Sequence, residues 1–354
     1  MEESGSGFSV EHRYRAARKQ LKTTIKILRF GVGGVMPKTS FRFNLITAAF
    51  AIFATFSAAS AGVTPQLPYP EGQPTAREII EQVYFVNHFY ALKNFAITKK
   101  HRKITVLISR AKGKRPTTNT LERYLNNDYE DDPTVRAKDL AIFRSGKLRG
   151  TGILITDYDD DKKGQSYMIW LPALRKIRRF AQPAQDDSWG GLDFTFGDVV
   201  LRKPENETHE YLGKEIFEGC LEGMDIPKKH QNRYTRRLAK KSCAPKGKEV
   251  YKVKSTTKFQ NWWYDYRISY VDTSTFADYR TEYYKNGRKI RFIDRDWRTL
   301  GLDDPRALAW GYWYGKNFET GHESWAVIPK EVIKYNANFK RSLWSERTLR
   351  KIKR

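Results

Sequence analysis

The sequence lacks the motifs that mark common enzyme classes. In its 354 residues there is no nucleophile elbow, P-loop, dinucleotide-binding glycine fingerprint or H-E-x-x-H zinc motif. Asp157, Asp159 and Asp161 have the spacing of a calcium loop, but Lys162 stands where that loop needs glycine and Met168 where it needs glutamate. The six histidines are scattered. The sequence therefore predicts a protein without catalytic residues, bound metal or cofactor, and the acidic stretch is interpreted as a polar hairpin turn.

Cysteine is also scarce, with only Cys220 and Cys243 in the chain. In an oxidising compartment they would form a disulfide, which stabilises a fold by about 3 kcal/mol for a loop of this size. Two free thiols remain an alternative, because sequence does not give the distance between them. A zinc site that adds His209 and His230 is a weaker alternative, since the close cysteine pairing of structural zinc sites is missing.

Long apolar runs are absent after the first sixty residues. Before that point, residues 36–61 read MPKTSFRFNLITAAFAIFATFSAASA, which is a short basic segment, an apolar stretch and a small-residue end. This order is typical of a cleaved secretory signal peptide, and the apolar stretch is short for a transmembrane helix of about 20 residues. We predict cleavage after Ala61, a true start at Met36, and export to the periplasm; an uncleaved anchor is the alternative.

The chain is strongly basic, with 65 Lys and Arg against 40 Asp and Glu and a formal net charge of +25. Basic stretches interleaved with aromatic residues can bind nucleic acid. Here the charge is spread over many predicted strands, and an exported protein is separated from cellular nucleic acid. Anionic lipid headgroups or an acidic partner surface fit the charge better, so we predict peripheral membrane contact and no nucleic-acid binding.

One helix and many strands are predicted after a proline-rich linker at residues 62–75. Thr75 can cap a helix over residues 76–90, whose apolar residues recur at helical spacing. Alternating and β-branched runs predict strands at residues 103–111, 148–158, 166–171, 249–255, 262–272, 278–294 and 324–336, with an Asn286-Gly287 hairpin turn. Residues 112–137 and 222–248 are predicted to be polar loops or insertions. The fold class is mainly β, with a curved antiparallel sheet in one domain at residues 76–354.

Several stretches together resemble the LolA-like family of outer-membrane lipoprotein-sorting proteins of Gram-negative bacteria, in particular its larger branch. They are LRGTGILITDYDDDKKGQSYMIWLPALRKIRRF, DVVLRKPENETHEYLG, TEYYKNGRKIRFI and WSERTLRKI. The resemblance covers roughly residues 76–352. It implies a half-open β-barrel with a helical lid over an apolar cavity for the acyl chains of a lipid or an acylated protein. It also implies an association with an RND-type exporter of the inner membrane.

The resemblance and the aromatic residues together predict a site. Most aromatic residues are expected to form the core. The residues predicted to contact the lipid lie on or beside predicted strands and are Trp170, Phe180, Trp262, Tyr264, Tyr266 and Ile268. In the run from Trp262 to Tyr270, alternate residues should share one face. Basic residues Arg175, Arg178 and Arg179 would contact lipid headgroups or a partner. Residues 169–182 could form a basic amphipathic helix, but the neighbouring strands and the resemblance favour a β-hairpin.

Two functions follow as hypotheses. The first is a non-enzymatic periplasmic carrier that transfers lipid or lipoprotein toward the outer membrane, or to or from an exporter. The alternative is a periplasmic interaction or sensor protein that uses the same fold to bind a membrane-protein partner.

Overall fold

The computed structural model describes residues 63–352, apart from residues 161, 181–183, 201, 237 and 239–240. The predicted leader and signal peptide lie outside the described residues, as does almost all of the predicted cleavage junction. Residues 63–75 contain no helix or strand, but Val63 is buried and the Tyr69 hydroxyl donates to the Ser274 carbonyl at 2.8 Å. This segment therefore packs against the domain.

The described chain is mainly β. Its helices are α1 (Ala76–Asn87), α2 (Phe196–Val199) and α3 (Glu346–Arg350), with 3₁₀ turns at Pro204–Asn206, Lys228–His230, Lys330–Val332 and Arg341–Leu343. The first eight strands are β1 (Asn94–Ile97), β2 (Thr105–Arg110), β3 (Thr117–Asn126), β4 (Val135–Phe143), β5 (Gly152–Tyr158), β6 (Ser166–Leu171), β7 (Lys176–Phe180) and β8 (Glu207–Ile216). The remaining strands are β9 (Glu249–Thr257), β10 (Tyr266–Asp272), β11 (Asp278–Lys285), β12 (Arg288–Thr299), β13 (Leu308–Asn317), β14 (Glu323–Val327) and β15 (Ile333–Tyr335).

All strands belong to one antiparallel sheet. Its order is β7-β6-β5-β4-β3-β2-β14-β13-β12-β11-β10-β9-β8, with β1 pairing to β3 and to β15. The sheet is open, because β7 and β8 form its two ends in the described part of the chain. The predicted mainly β fold with a large antiparallel sheet and few helices is therefore confirmed.

Local sequence explains α1 and the main hairpin. The Glu78 amide donates to Thr75 Oγ1 at 3.2 Å, and the Thr75 amide donates to Glu78 Oε2 at 2.7 Å, which is a capping box. The helix ends at Asn87 instead of residue 90, because Phe89 has a φ of 56° and cannot continue it. Asn286 and Gly287 have φ values of 50° and 71°, as a type I′ turn between β11 and β12 requires.

Two strands were missed in and after the predicted polar segment 112–137. This segment contains all of β3 and the first three residues of β4. The reason is that charged side chains of these strands face each other in the interior. Arg123 on β3 and Asp139 on β4 form an ion pair of 2.6 Å, and Arg123 is buried. A charged residue at an interior position interrupts the alternation of apolar and polar residues by which a strand is recognised in a sequence. The described residues of the segment 222–248 contain a 3₁₀ turn and no strand, in agreement with the predicted polar loop or insertion.

The sheet has two covered faces, which we name by what covers them. The helix face contacts α1 and residues 187–199, which we call the cover segment. The loop face is covered by residues 217–245 and 336–352: the Glu222 amide donates to Asp294 at 2.7 Å and the Ser242 amide to the Tyr312 hydroxyl at 3.0 Å. Trp344 and Leu349 cover the loop face of β4 and β5. Because side chains alternate along a strand, each central strand contributes to both faces.

Candidate functional site: an apolar pocket beside a buried charge network

A small apolar pocket of about 40 Å³ lies on the helix face, between the strands around β2 and β13 and the cover segment. Its walls are almost entirely apolar or aromatic. They are Ile97, Thr105, Leu107, Leu121, Arg123, Trp189, Leu192, Phe194, Val199, Trp310, Trp313, Ala326 and Ile328. A space of this size has room for a few water-sized groups but not for an extended ligand.

The cover segment fills this face with its own side chains. Trp189, Leu192 and Phe194 are each at most 5% exposed. The segment folds on itself through the Trp189 amide, which donates to the Phe194 carbonyl at 2.8 Å. It is held to the sheet where the Asp193 amide donates to Ser324 Oγ of β14 at 2.7 Å.

A glycine in β13 makes the fit of the cover segment possible. A Cβ placed on Gly315 would lie 2.8 Å from the ring of Phe194 and 3.5 Å from the Phe292 carbonyl oxygen. Any larger residue would push the Phe194 ring away from the sheet, so Gly315 fixes how closely the cover segment approaches.

Two hydrogen-bond donors of the pocket have no partner. The indole Nε1 atoms of Trp310 and Trp313 are buried, and neither has an acceptor among the described residues. The Arg123 guanidinium lies 5.4 Å from the Trp310 ring centroid and is held by Asp139. Buried donors without acceptors cost free energy, so a ligand or water that supplies an oxygen acceptor would be favoured here.

A buried charge network occupies the neighbouring part of the helix face. Asp198, at the end of the cover segment, forms an ion pair of 2.5 Å with Arg291 on β12 and accepts a hydrogen bond of 2.6 Å from the Tyr283 hydroxyl. Arg202 is 3.5 Å from the same carboxylate. Burial raises the pKa of Asp198, but Arg291 and Arg202 more than offset this, so its pKa lies well below the usual value.

Two more ion pairs complete the network. Glu207 and Arg267 are 2.6 Å apart, and the Tyr264 hydroxyl donates to Glu207 at 2.9 Å. Burial raises the pKa of Glu207, yet Arg267 lowers it more strongly, to about 2. Asp278 and Arg295 are also 2.6 Å apart. The carboxylates of Asp198 and Glu207, whose pKa values are lowered, stay ionised at neutral pH and act as structural partners of the arginines.

Helix α1 packs beside the charge network and not over the apolar pocket. Asn87 Nδ2 donates to Asp278 at 3.0 Å, and Ile80, Val83 and Tyr84 line a small space together with the network residues. No residue of α1 lines the apolar pocket. The pocket is covered by the cover segment, whereas the sequence predicted that a helix at residues 76–90 would be the lid. A helical lid over a lipid cavity stays a prediction.

The six residues predicted to contact lipid are dispersed, and none of them lines the apolar pocket. Trp170 packs with the Trp344 cluster on the loop face. Phe180 is 48% exposed on the edge strand β7. Trp262 and Tyr264 lie beside the charge network, with ring centroids 6.1 Å apart. Their lipid-binding role stays a prediction.

The expectation that alternate residues from Trp262 to Tyr270 share one face holds for Tyr266, Ile268 and Tyr270 but is wrong for Tyr264. Strand β10 begins only at Tyr266, so the alternation does not extend back to Tyr264. The Tyr264 ring contacts Tyr283 on the helix face, whereas Tyr266 stacks on Tyr284 at 5.0 Å, on the loop face together with Ile268.

The basic stretch forms a hairpin, as favoured from sequence. Strands β6 and β7 pair in antiparallel register, and Arg175 lies in the turn between them with a φ of 47°. Arg178 is exposed, and Arg179 forms an ion pair with Glu346 of α3. Contact of these three arginines with headgroups or a partner stays a prediction.

Cys220 and Cys243 form a disulfide, with Cα atoms 4.2 Å apart. The alternative zinc site has no geometric basis, because both ring nitrogens of His209 are within 2.9 Å of other partners, Ser255 and the Pro204 carbonyl. No group of metal-ligating side chains occurs among the described residues.

Sequence reasoning missed most of the pocket. Residues 308–317 read LAWGYWYGKN, and the aromatic run around Gly311 could have indicated strand β13 with both faces covered. Nothing in the local sequence shows that the segment with Trp189 and Phe194 folds back over the sheet.

Comparison with known proteins places this fold. A family model described as an uncharacterized protein matches residues 136–240, which is less than half of the chain. No curated protein matches the chain. The chain is similar to the solved structure of a domain from Vibrio parahaemolyticus described as outer membrane lipoprotein-sorting, with 14% identity, a TM-score of 0.56, and coverage of 78% of this chain and 98% of that one.

Two further solved structures are similar over the same share of this chain. A DUF1329 family protein from Desulfovibrio piger has 13% identity, a TM-score of 0.56 and is covered completely. A LolA superfamily protein from Nitrosomonas europaea has 12% identity, a TM-score of 0.47 and is also covered completely. The resemblance found in the sequence is confirmed at the level of the fold, which this chain shares with the two structures that have a TM-score of 0.56.

Proposed function

We propose that the protein is a non-enzymatic periplasmic carrier that binds an acyl chain of a lipid or lipoprotein on the helix face, beneath the cover segment. The observation that carries the proposal is the apolar pocket with two unpartnered indole donors, on a fold shared with a lipoprotein-sorting domain. The apolar walls suit methylene groups, and the indole N–H groups suit the carbonyl oxygen of an ester or amide-linked acyl chain.

Binding requires the cover segment to move, because ligand sites commonly measure roughly 300–1,000 Å³ and this pocket is far smaller. Exposing Trp189, Leu192 and Phe194 would cost roughly 2 kcal/mol each, or about 6 kcal/mol together. An acyl chain gains about 0.8 kcal/mol per buried methylene, so a dozen methylenes gain about 10 kcal/mol and about six methylenes do not offset the cost. The carrier should therefore select long chains.

The periplasmic location rests on the predicted signal peptide and is consistent with the disulfide. None of the helices in the described ranges has the length and apolar character needed to cross a membrane. Transfer to or from an RND-type exporter, or toward the outer membrane, rests on the sequence resemblance alone.

Native mass spectrometry of the purified protein, followed by lipid extraction, tests the proposal. We expect reproducible co-purifying species with acyl chains of about twelve carbons or more, and uptake of long-chain but not six-carbon fatty acids or lipopeptides. A protein that stays empty after incubation with long-chain lipids and with a triacylated lipopeptide would overturn it.

One observation favours the alternative of an interaction or sensor protein. The aromatic side chains of the cover segment already pack against the apolar wall of the sheet. This is expected for a domain that needs no ligand to complete its core. In that case the protein remains empty in the same experiment and instead retains a membrane-protein partner on a pull-down from the bacterial envelope.

A further inference from the structure

A second, larger groove lies on the loop face, on the other side of the sheet from the apolar pocket. Its volume is about 560 Å³, and it runs between β2, β14 and the loop around Tyr234. We call it the cationic groove. Its walls are Arg102, Lys103, Ile104, Val106, Arg233, Tyr234, Arg236, Leu238, Arg298, Val327, Ile328 and Pro329.

The floor of the cationic groove is apolar because two neighbouring strands present branched residues to it. Val106 on β2 and Val327 on β14 are register partners on the loop face, and both are buried. Ile104 and Ile328 extend the same surface and are at most 7% exposed. The small apolar area that these side chains leave open to the groove favours an apolar occupant over water.

The rim is cationic and carries little compensating charge. None of the described residues that line the groove is acidic. Arg298 lies 3.9 Å from Asp296 and Lys103 lies 4.0 Å from Glu331, both at the limit of an ion pair. Arg102 and Arg236 are exposed, and neither forms an ion pair with another described residue.

The groove also has room for a long ligand. A second space of about 710 Å³ shares Arg236 and Leu238 with the groove as walls. Its other walls are apolar at Met224, Ile226 and Trp325 and polar at Asp225, Gln231, Thr235 and Lys241. The indole Nε1 of Trp325 is buried and has no acceptor among the described residues. The two spaces therefore place apolar side chains next to the positive charges of Arg102 and Arg236.

We propose that the cationic groove binds an anionic amphiphile: a phosphate-bearing lipid whose chain lies on the apolar floor and whose phosphate contacts Arg102 and Arg236. Guanidinium groups bind phosphate with paired, charge-assisted hydrogen bonds. A free anion does not contact the apolar floor, and a neutral lipid does not neutralise the arginines of the rim. The proposal does not depend on the carrier function, because the two sites share no wall residue except Ile328.

Dodecyl phosphate below its critical micelle concentration is a suitable probe, with inorganic phosphate and dodecyl maltoside as probes of the head and the chain alone. Isothermal titration should show that dodecyl phosphate binds at least tenfold more tightly than either, with an affinity that falls as salt rises. The double variant Arg102→Gln/Arg236→Gln should weaken dodecyl phosphate at least tenfold and leave dodecyl maltoside unchanged.

The matched control is Arg149→Gln/Arg347→Gln, which removes the same charge from exposed positions outside the groove. It should bind dodecyl phosphate like the parent protein, and thermal denaturation should show that both double variants fold. Equal loss in the control, unchanged binding in the groove variant, or inorganic phosphate binding as tightly as dodecyl phosphate would each overturn the proposal. Displacement of dodecyl phosphate by a hexaglutamate peptide at equal concentration would do so as well and would point to a protein partner.

If long-chain fatty acid uptake fails while this head-dependent binding holds, the carrier function alone is wrong. If uptake holds while the groove variant binds dodecyl phosphate normally, the groove proposal alone is wrong.

Discussion

The helix face of the sheet is covered in two different ways. Around β2 and β13 the cover segment presents Trp189 and Phe194 to an apolar wall. Around β10 to β12 the contacts are buried ion pairs, such as Asp198 with Arg291 and Asp278 with Arg295. Only the first kind of contact can be exchanged for an acyl chain, since a lipid supplies apolar surface but no replacement for a buried counter-charge.

The difference teaches which part of the molecule can move. Exposing an apolar side chain costs about 2 kcal/mol, and a ligand can restore that amount. Separating a buried ion pair costs roughly 3–5 kcal/mol and leaves a charge that no acyl chain can neutralise. We therefore expect the cover segment to pivot about Asp198 while α1 and the charge network stay in place.

The largest expected change in stability comes from removing an arginine of the buried charge network on the helix face. Arg291→Met removes the closer of the two arginines at Asp198 and should lower the free energy of unfolding by roughly 3–5 kcal/mol, because the buried carboxylate keeps only Arg202 at 3.5 Å. Urea denaturation measures this. Arg350→Met, which removes an exposed ion pair with Glu346, is the control and should change stability by less than about 1 kcal/mol. Equal effects of the two substitutions would contradict a structural role for the network.

A second substitution tests whether the apolar half is the binding region. Phe194→Ala removes a ring of the cover segment and should cost about 3 kcal/mol while increasing long-chain fatty acid uptake, because less apolar surface has to be displaced. Phe85→Ala on α1 removes an equally buried ring beside Arg306 and should cost a similar amount without increasing uptake. If both variants take up more lipid, the gain reflects general loosening and not the cover segment.

The pH dependence of stability tests the ionised state of Glu207. Its pKa falls from an ordinary value of 4.5 to about 2 on folding, so the stabilisation is complete above about pH 4.5 and is lost as the pH falls toward 2. Glu207→Gln should be less stable than the parent protein by about 2 kcal/mol at pH 7, and the gap should narrow between pH 4.5 and 2. A gap that stays constant over this range in urea denaturation would show that the folded pKa is not depressed.

The smallest expected change in stability gives the most direct comparison, because two helices begin with the same type of N-terminal cap. Thr195 caps α2 in the cover segment and Thr75 caps α1, each with a capping box. Either Thr→Ala substitution should cost about 1 kcal/mol of stability. Only Thr195→Ala should speed lipid uptake, measured by stopped-flow fluorescence with a long-chain fluorescent fatty acid. Faster uptake in Thr75→Ala would place the moving part in α1.

The parts of the fold that follow from local chemistry could be predicted. The Thr75 cap, the Asn286-Gly287 turn and the β6–β7 hairpin depend on residues close in sequence, and all three are present. The strands β3 and β4 were missed because Arg123 and Asp139 are paired inside the sheet, and that pairing exists only after the two strands meet. The site was predicted poorly for a related reason, since Tyr264 and Tyr266 belong to different faces once β10 begins at Tyr266.

The sequence by itself determined that this protein is mainly β, that one capped helix precedes the sheet, and that the chain is strongly basic. These properties follow from side-chain alternation, capping and composition, which act over a few residues or over the whole chain. Only the tertiary structure decided which strands meet, as in the pairing of β2 with β14, more than two hundred residues later. It also decided that residues 187–199 cover the apolar half of the helix face. A two-residue period defines two faces for every strand, but which face is covered, and by what, depends on packing between distant segments.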